Sequence, residues 1–327
     1  MNKKILINLL GALVLSVVLL WVLFNQVPLN DVLASLNRIS FLVLATTFGL
    51  YVISNIFRAL RFRLITNNSY SLRYFFDVAS VLNMMNVLLP SRTGELSYIY
   101  LLKKSGSKVA ESIASLVLAR IFDFIALSSI FLFSVLFISR EPLIQNIMWI
   151  VAIFMLALAL ILIIFIIYEQ KFISLAKIIF HKLNLDKFNI TKALFKKSGE
   201  LLSSLKIIKS RKAVIHIMAY TYFIWLCYYL ISYLVLSSVG FNSPVLVFTV
   251  GLTLSVLSSI IPISGIAGFG TYEAYWTIIF LSLGIQKEMA ITFGFVNHII
   301  NLLYVVIIGL ISFFILNKEY HYFSKSV

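Results

Sequence analysis

Five ionisable residues stand where apolar sequence makes a charge costly: Arg92, Glu95, Arg120, Asp123 and Glu273. A charge at mid-bilayer costs about 2.5–3.5 kcal/mol on insertion scales, so each must be paired or must face water. Arg92 and Glu95 flank a turn in Leu89-Pro90-Ser91-Arg92-Thr93-Gly94-Glu95. A guanidinium at a Pro/Gly turn, beside backbone N–H groups opening a helix, suits a phosphate. Glu95, in the first turn of the following arm, gains from the helix dipole. Arg120 and Asp123 are three residues apart and share one helix face. Arg120 lies about nine residues into its span, ~14 Å deep, near the depth of the first turn. Arg92, Glu95, Arg120 and Asp123 are therefore expected to form one polar cluster. It either locks the fold by mutual neutralisation or holds a charged headgroup, and for Arg92 the headgroup is favoured.

Glu273 follows a second turn, Ile261-Pro262-Ile263-Ser264-Gly265-Ile266-Ala267-Gly268-Phe269-Gly270-Thr271-Tyr272-Glu273. Gly265, Gly268 and Gly270 permit unusual backbone angles and close approach. Glu273 either caps its own helix or contacts a headgroup or a proton. Asn55, Asn83, Asn86, Asn297 and Asn301 also lie in apolar surroundings, where interhelical hydrogen bonding is the expected role. His298 is the only histidine deep in an apolar run; it either titrates or is an ordinary buried, bonded ring, and the latter is favoured.

The elements that must position these residues are helices in lipid. The chain has 327 residues, 61% hydrophobic and 12% charged, with a mean hydropathy of +1.02. Apolar runs at 5–24, 41–57, 111–138, 143–168, 213–239 and 290–316 suit a hydrocarbon core ~30 Å thick. Between them lie two interrupted segments, 78–102 and 245–284, with turns at Pro90 and Gly94 and at Pro262, Gly265, Gly268 and Gly270. The arms of the first are about 12 and 8 residues, ~18 and ~12 Å as helix, too short to cross. Broken helices are tolerated in lipid only where protein or a water-filled cavity surrounds the freed backbone. Paired breaks in two halves of a membrane protein point to a transport site. The expected fold is an all-α polytopic membrane protein, one integral domain over 1–327. It has about six spanning helices plus two re-entrant or broken-helix hairpins in inverted arrangement.

Charge orients this fold. With the N-terminus inside, segments 1–4, 58–77, 103–110, 169–212 and 317–327 hold 22 of the 27 Lys and Arg. The outside loops, including 25–40, hold Arg38, Arg140 and Lys287. The positive-inside rule then places both termini in the cytoplasm, in a multi-pass protein of the cytoplasmic membrane. The same bias explains the net charge of +15 without nucleic acid. The loop 169–212 reads as a basic amphipathic helix lying on anionic inner-leaflet lipids. Residues 1–24 read as an uncleaved first span, for no small-x-small cleavage site follows. A single cysteine, Cys227, excludes an intramolecular disulfide and a cysteine-based metal site. No Walker, His-Glu-x-x-His or Gly-x-Ser-x-Gly motif is present. No metal, cofactor or catalytic residue is therefore expected, and a transporter is favoured over an enzyme.

At these residues the chain resembles the flippase-like membrane family of lysylphosphatidylglycerol synthases, the membrane portion of multiple peptide resistance factor proteins, in a free-standing form. Leu89-Pro90-x-Arg92-x-Gly94-Glu95-Leu96 is similar to the family's first signature. Ala114-Ser115-x-x-Leu118-x-Arg120-x-x-Asp123 resembles its next segment, and Ile261-Pro262-Ile263-Ser264 with Ala267-Gly268-Phe269-Gly270-x-x-Glu273 its second signature. Gly265 looks like one extra residue in the second loop, and Tyr272 stands where relatives often carry a basic residue. The chain stops at Val327 without a C-terminal synthase domain, so the resemblance implies lipid translocation or handling and not aminoacyl transfer.

The expected function is therefore translocation, or handling, of a phosphate-bearing lipid. Arg92, Glu95, Arg120, Asp123 and Glu273 would bind a phospholipid or a polyprenyl or glycolipid substrate. A homo-oligomer is compatible with this reading. The alternative is a membrane-embedded transferase acting on a lipid-linked sugar or other lipid carrier.

Overall fold

The computed structural model describes residues 3–67, 70–89, 93–138, 142–167, 210–258 and 265–324. Pro90, Arg92 and Pro262 lie outside them, as does nearly all of the loop 169–212. In chain order the helices are α1 (Lys3–Phe24), α2 (Leu29–Asn37), α3 (Phe41–Ile65), α4 (Leu72–Leu88), α5 (Glu95–Lys104) and α6 (Val109–Leu136). They continue with α7 (Pro142–Ile167), α8 (Arg211–Ser238), α9 (Val245–Ser258), α10 (Thr271–Ser282) and α11 (Lys287–Ser324). A 3₁₀ turn, Ile266–Gly268, precedes α10. Among the described residues there is no strand, as an all-α polytopic membrane protein requires.

Four helices are long and apolar enough to cross a bilayer by themselves: Phe41–Ile65, Val109–Leu136, Arg211–Ser238 and Lys287–Lys318. Leu13–Phe24 and Leu29–Asn37 meet at 84° and make a fifth only if that bent pair is one span. The sequence suggests about six, and the described residues support four or five. Large side chains such as Trp21, Phe41, Ile150, Phe154, Ile278 and Phe314 are exposed around the bundle. So wide an apolar surface is stable in lipid and not in water.

Two segments differ from their sequence reading. Residues 25–40, expected as a loop, contain α2, whose Val32 is buried against Ile291 and Phe295 at the start of α11. The first internal span, expected over 41–57, continues as helix to Ile65. Ser40 starts this helix by accepting a hydrogen bond from the Val43 N–H at 3.3 Å. Its last two turns bury Ala59, Phe62 and Ile65 against α4, α5 and α6. That burial carries Arg58 and Arg61 into the bundle instead of leaving them in a loop.

Each interrupted segment folds back on itself. In the first, Tyr70 and Tyr74 near the start of α4 donate to the Ser105 and Leu101 carbonyls at the end of α5 (2.8 and 3.1 Å). At the other end Gly94 lies against the backbone of Met85 and Asn86. In the second, Gly251 of α9 packs on Phe280 and Leu283 at the end of α10. The long helix α11 shows how the hairpins are related. Phe75, at the open end of the first, shares a buried cluster with Leu316, while Met84 nearer its tip meets Gly309. Trp276 of the second covers Gly294, and its tip touches His298. The hairpins thus approach the middle of α11 from opposite ends, and α4 contacts the 3₁₀ turn of the other tip. This is the inverted arrangement expected from the two breaks.

Candidate functional site

A cluster of charges surrounds the tip of the first hairpin. Arg61 of α3 reaches Asp123 of α6 through two contacts, Nη1–Oδ1 at 2.6 Å and Nη2–Oδ2 at 3.4 Å. The Trp225 indole of α8 donates to the same Oδ1 at 3.1 Å, and Arg61 Nη1 also reaches Thr221 Oγ1 at 3.3 Å. This pair is closed off: the side chains are 3% and 13% exposed. Bonds linking three helices satisfy the carboxylate in a place where a lone charge would be untenable.

The outer layer is open. Arg120 donates from Nη2 and Nε to Glu95 Oε1, at 2.9 and 3.2 Å. Its Nη1 stands 4.0 Å from Asp123 Oδ2, joining the layers. Arg120 and Glu95 are 43% and 32% exposed, far more than the inner pair. Arg120 lies 11 residues into α6, ~16 Å along the helix, so this exposure faces something other than a headgroup layer at the helix end. Glu95 sits at the first position of α5, where backbone N–H groups are unpaired and a carboxylate is favoured.

Arg58 completes the cluster. It is half-buried on α3, one turn before Arg61, and lies within electrostatic reach of Arg61, Arg120, Asp123 and Tyr51. Among the described residues it has no ion-pair or hydrogen-bond partner. The described cluster therefore holds Arg58, Arg61 and Arg120 against Glu95 and Asp123, one positive charge in excess. In a low-dielectric bundle such an excess favours a bound anion.

The structure brings Glu95, Arg120 and Asp123 together as their spacing suggests, although the close partner of Asp123 is Arg61 and not Arg120. Arg92, three residues before Glu95 in sequence, is outside the described residues. Glu273 is not part of this cluster. It lies under the second hairpin, where Oε2 accepts from the Gly270 N–H at 2.7 Å. Its Oε1 is 2.6 Å from Nδ1 of His298. Gly270 begins α10 with φ +81°, and a Cβ there would lie 2.8 Å from Leu19 Cβ of α1. Gly265 is packed as tightly, on Ser16, and Gly268 lies beneath the His298 ring. Of the asparagines, Asn55 and Asn83 join α3 to α4, and Asn297 joins α11 to Tyr272 of α10. Asn301 bonds Asn297 on its own helix, and Asn86 Oδ1 is buried without a partner among the described residues.

Sequence reasoning missed Arg58, Arg61, Thr221 and Trp225. The signal for the arginines was present. Ala59, Phe62 and Ile65 keep helical spacing past residue 57, so the intervening basic residues belong to the helix. No such pattern marks Trp225 or Thr221, whose role depends on α8 crossing α3 at that height. Among the described residues no group of three His, Cys, Asp or Glu is arranged to hold a metal ion.

Among curated proteins none is significantly similar to the chain. The family model described as the lysylphosphatidylglycerol synthase TM region matches residues 9–309, a range that contains both hairpins and every residue of the charge cluster. With that match over most of its length, the chain belongs to the lysylphosphatidylglycerol synthase transmembrane-region family, a family of multi-pass membrane domains linked to lipid handling or flipping.

Proposed function

We propose that this protein binds a phosphate-bearing membrane lipid at the tip of the first hairpin and carries its headgroup across the bilayer. The observation that carries the reading is the one positive charge in excess that Arg58, Arg61 and Arg120 hold over Glu95 and Asp123 among the described residues, beside an open ion pair. Arg58 supplies a guanidinium without a partner among the described residues, and the sequence puts Arg92 three residues before Glu95, where it would add a second. Arg120 can exchange Glu95 for a phosphate, since charge-assisted bonds to either anion are of similar strength. A phospholipid or a polyprenyl or glycolipid phosphate would each satisfy this site.

An apolar groove of about 590 Å³ between α6, α8 and α9 supports the same reading. Tyr222, Leu226, Leu230 and Tyr233 line one wall, and Phe248 the other. Its lining on α8 runs from Ala219 to Tyr233, so the groove passes the height of Thr221 and Trp225, which contact Arg61 and Asp123. Headgroup at the arginines and chains along the groove is an arrangement that lets a lipid enter from the side. Rocking of the two inverted hairpins about α11 would supply alternating access. We place the protein in the cytoplasmic membrane with both termini in the cytoplasm, where the basic loops meet anionic lipid.

Arg58→Gln tests this. Removing a charge that has like-charged neighbours and no described partner leaves the melting temperature unchanged or raised. Loss of a charge-assisted hydrogen bond of about 1.5–3 kcal/mol weakens lipid binding by about tenfold to a hundredfold. Movement of labelled phosphatidylglycerol between leaflets of proteoliposomes should fall with it. A variant that folds, and moves lipid at the wild-type rate at limiting lipid, contradicts the role given to Arg58.

A further inference from the structure

We propose that Glu273 and His298 together bind one exchangeable proton, and that its release unlatches the 3₁₀ turn Ile266–Gly268 that precedes α10. The proton would then be the coupling partner of the lipid movement proposed above; only this last step rests on that reading.

The geometry counts the protons. Nε2 of His298 is 3.0 Å from the Ala267 carbonyl oxygen, which can only accept, so Nε2 carries hydrogen. Nδ1 is 2.6 Å from Glu273 Oε1, and one hydrogen must lie between them, on nitrogen or on oxygen. The pair therefore holds two protons and is neutral overall. Glu273 is 0% and His298 7% exposed, and both oxygens of the carboxylate are engaged, by His298 and by the Gly270 N–H.

Loss of one proton to water leaves a carboxylate, a neutral imidazole and one ring hydrogen. That hydrogen is held best on Nδ1, facing the carboxylate. Nε2 then presents a lone pair to the Ala267 oxygen, and two acceptors face each other at 3.0 Å. The latch on the turn is lost. Ala267 is held at φ +50°, a left-handed conformation that a residue with a Cβ keeps only when its surroundings impose it, and the His298 bond to its carbonyl is one of those surroundings. Proton uptake restores the Nε2–H bond and closes the turn onto α1, where Ser16 accepts from the Ile266 N–H and donates to the Phe269 carbonyl.

Among the described residues little else near the pair can titrate. Tyr272 of α10 lies against the His298 ring, and Tyr228 of α8 is close to Tyr272. α1 contributes Ser16, α11 contributes Asn297, and the tip end of α4, Met84–Leu88, has no ionisable side chain. Among the described residues no lysine, arginine or second carboxylate is paired with either member.

Glu273→Gln is the decisive variant, because it keeps the shape and removes the proton. The introduced amide would donate to Nδ1 and accept from the Gly270 N–H, leaving a neutral His298 with Nε2–H on Ala267. Its melting temperature should stay close to wild type. Imidazole ¹⁵N spectra in nanodiscs, recorded across a series of pH values, should show His298 changing protonation state in the wild type and fixed in Glu273→Gln. In phosphatidylglycerol proteoliposomes, a gradient of about one pH unit should shift the steady leaflet distribution of labelled phosphatidylglycerol by about tenfold for one proton per lipid. Glu273→Gln should abolish that response. A wild-type His298 that keeps one protonation state across the range overturns the proton site. Titration with lipid movement indifferent to the gradient overturns the coupling and leaves the transport reading intact. Titration with no lipid movement in either protein overturns the transport reading, and the coupling with it, while the proton site stands.

Discussion

Asp123→Ala should destabilise the protein by about 3–5 kcal/mol, the range for leaving one member of a buried ion pair without its partner. The reason is Arg61. It is 3% exposed, and with Asp123 gone only Thr221 Oγ1 remains within hydrogen-bond distance of its guanidinium among the described residues. The Trp225 N–H would lose its acceptor in the same step. Glu95→Ala provides the contrast. Its partner Arg120 is 43% exposed, so the loss should be about 0–1 kcal/mol. Asp123→Leu combined with Arg61→Met should recover most of the stability lost by Asp123→Ala, since removing both charges leaves none buried alone. Reversible unfolding in mixed micelles compares these variants with the wild type. Equal effects of Asp123→Ala and Glu95→Ala would refute the two-layer description of the cluster.

The second large effect is expected at Gly94. An added Cβ would stand 2.2 Å from the Met85 carbonyl carbon and 2.3 Å from the Asn86 nitrogen. These are backbone atoms of α4, which cannot turn aside as a flexible side chain does. Gly94→Val should therefore push α5 off α4, at a cost of about 1–3 kcal/mol or more, and move Glu95 away from Arg120. Gly94→Ala should act in the same direction with smaller size. Gly49→Ala is the control. Nothing lies within 4 Å of the corresponding Cβ, and in the interior of α3 alanine gains up to about 1 kcal/mol of helix propensity. Melting temperatures of the three variants decide this: a Gly94→Val protein as stable as Gly49→Ala would mean that the arms are not so closely packed.

The helical architecture was legible because lipid leaves few alternatives to a helix, and an apolar run of about 20 residues announces one. The hairpins were legible for the opposite reason. Pro/Gly turns and charges are expensive in apolar sequence, so Gly94-Glu95 and Gly270 with Glu273 stood out. What misled the reading was charge counting at helix ends. Arg58 and Arg61 add to an inside excess of basic residues just as loop arginines would, so the count placed them in a loop. The apolar spacing of Ala59, Phe62 and Ile65 carried the better information. Likewise Val32 and Leu36 of α2, one turn apart in a segment read as a loop, pack on α11. The Glu273–His298 contact was beyond reach of sequence reasoning, because 25 residues and two helix ends separate the partners. Taken alone, Glu273 reads as a cap or as a contact for a headgroup or a proton, and His298 as a core or titrating histidine; nothing in the sequence pairs them.

In this view of the protein, a lipid phosphate completes the charge of the arginine cluster. Native mass spectrometry of the protein released from membranes with its co-purified lipids tests that claim most directly. A phosphate-bearing lipid is expected on the wild type, retained in Glu95→Ala and lost in Arg58→Gln and Arg92→Ala. A protein that carries no such lipid, or one that the two arginine variants retain at wild-type occupancy, would contradict it.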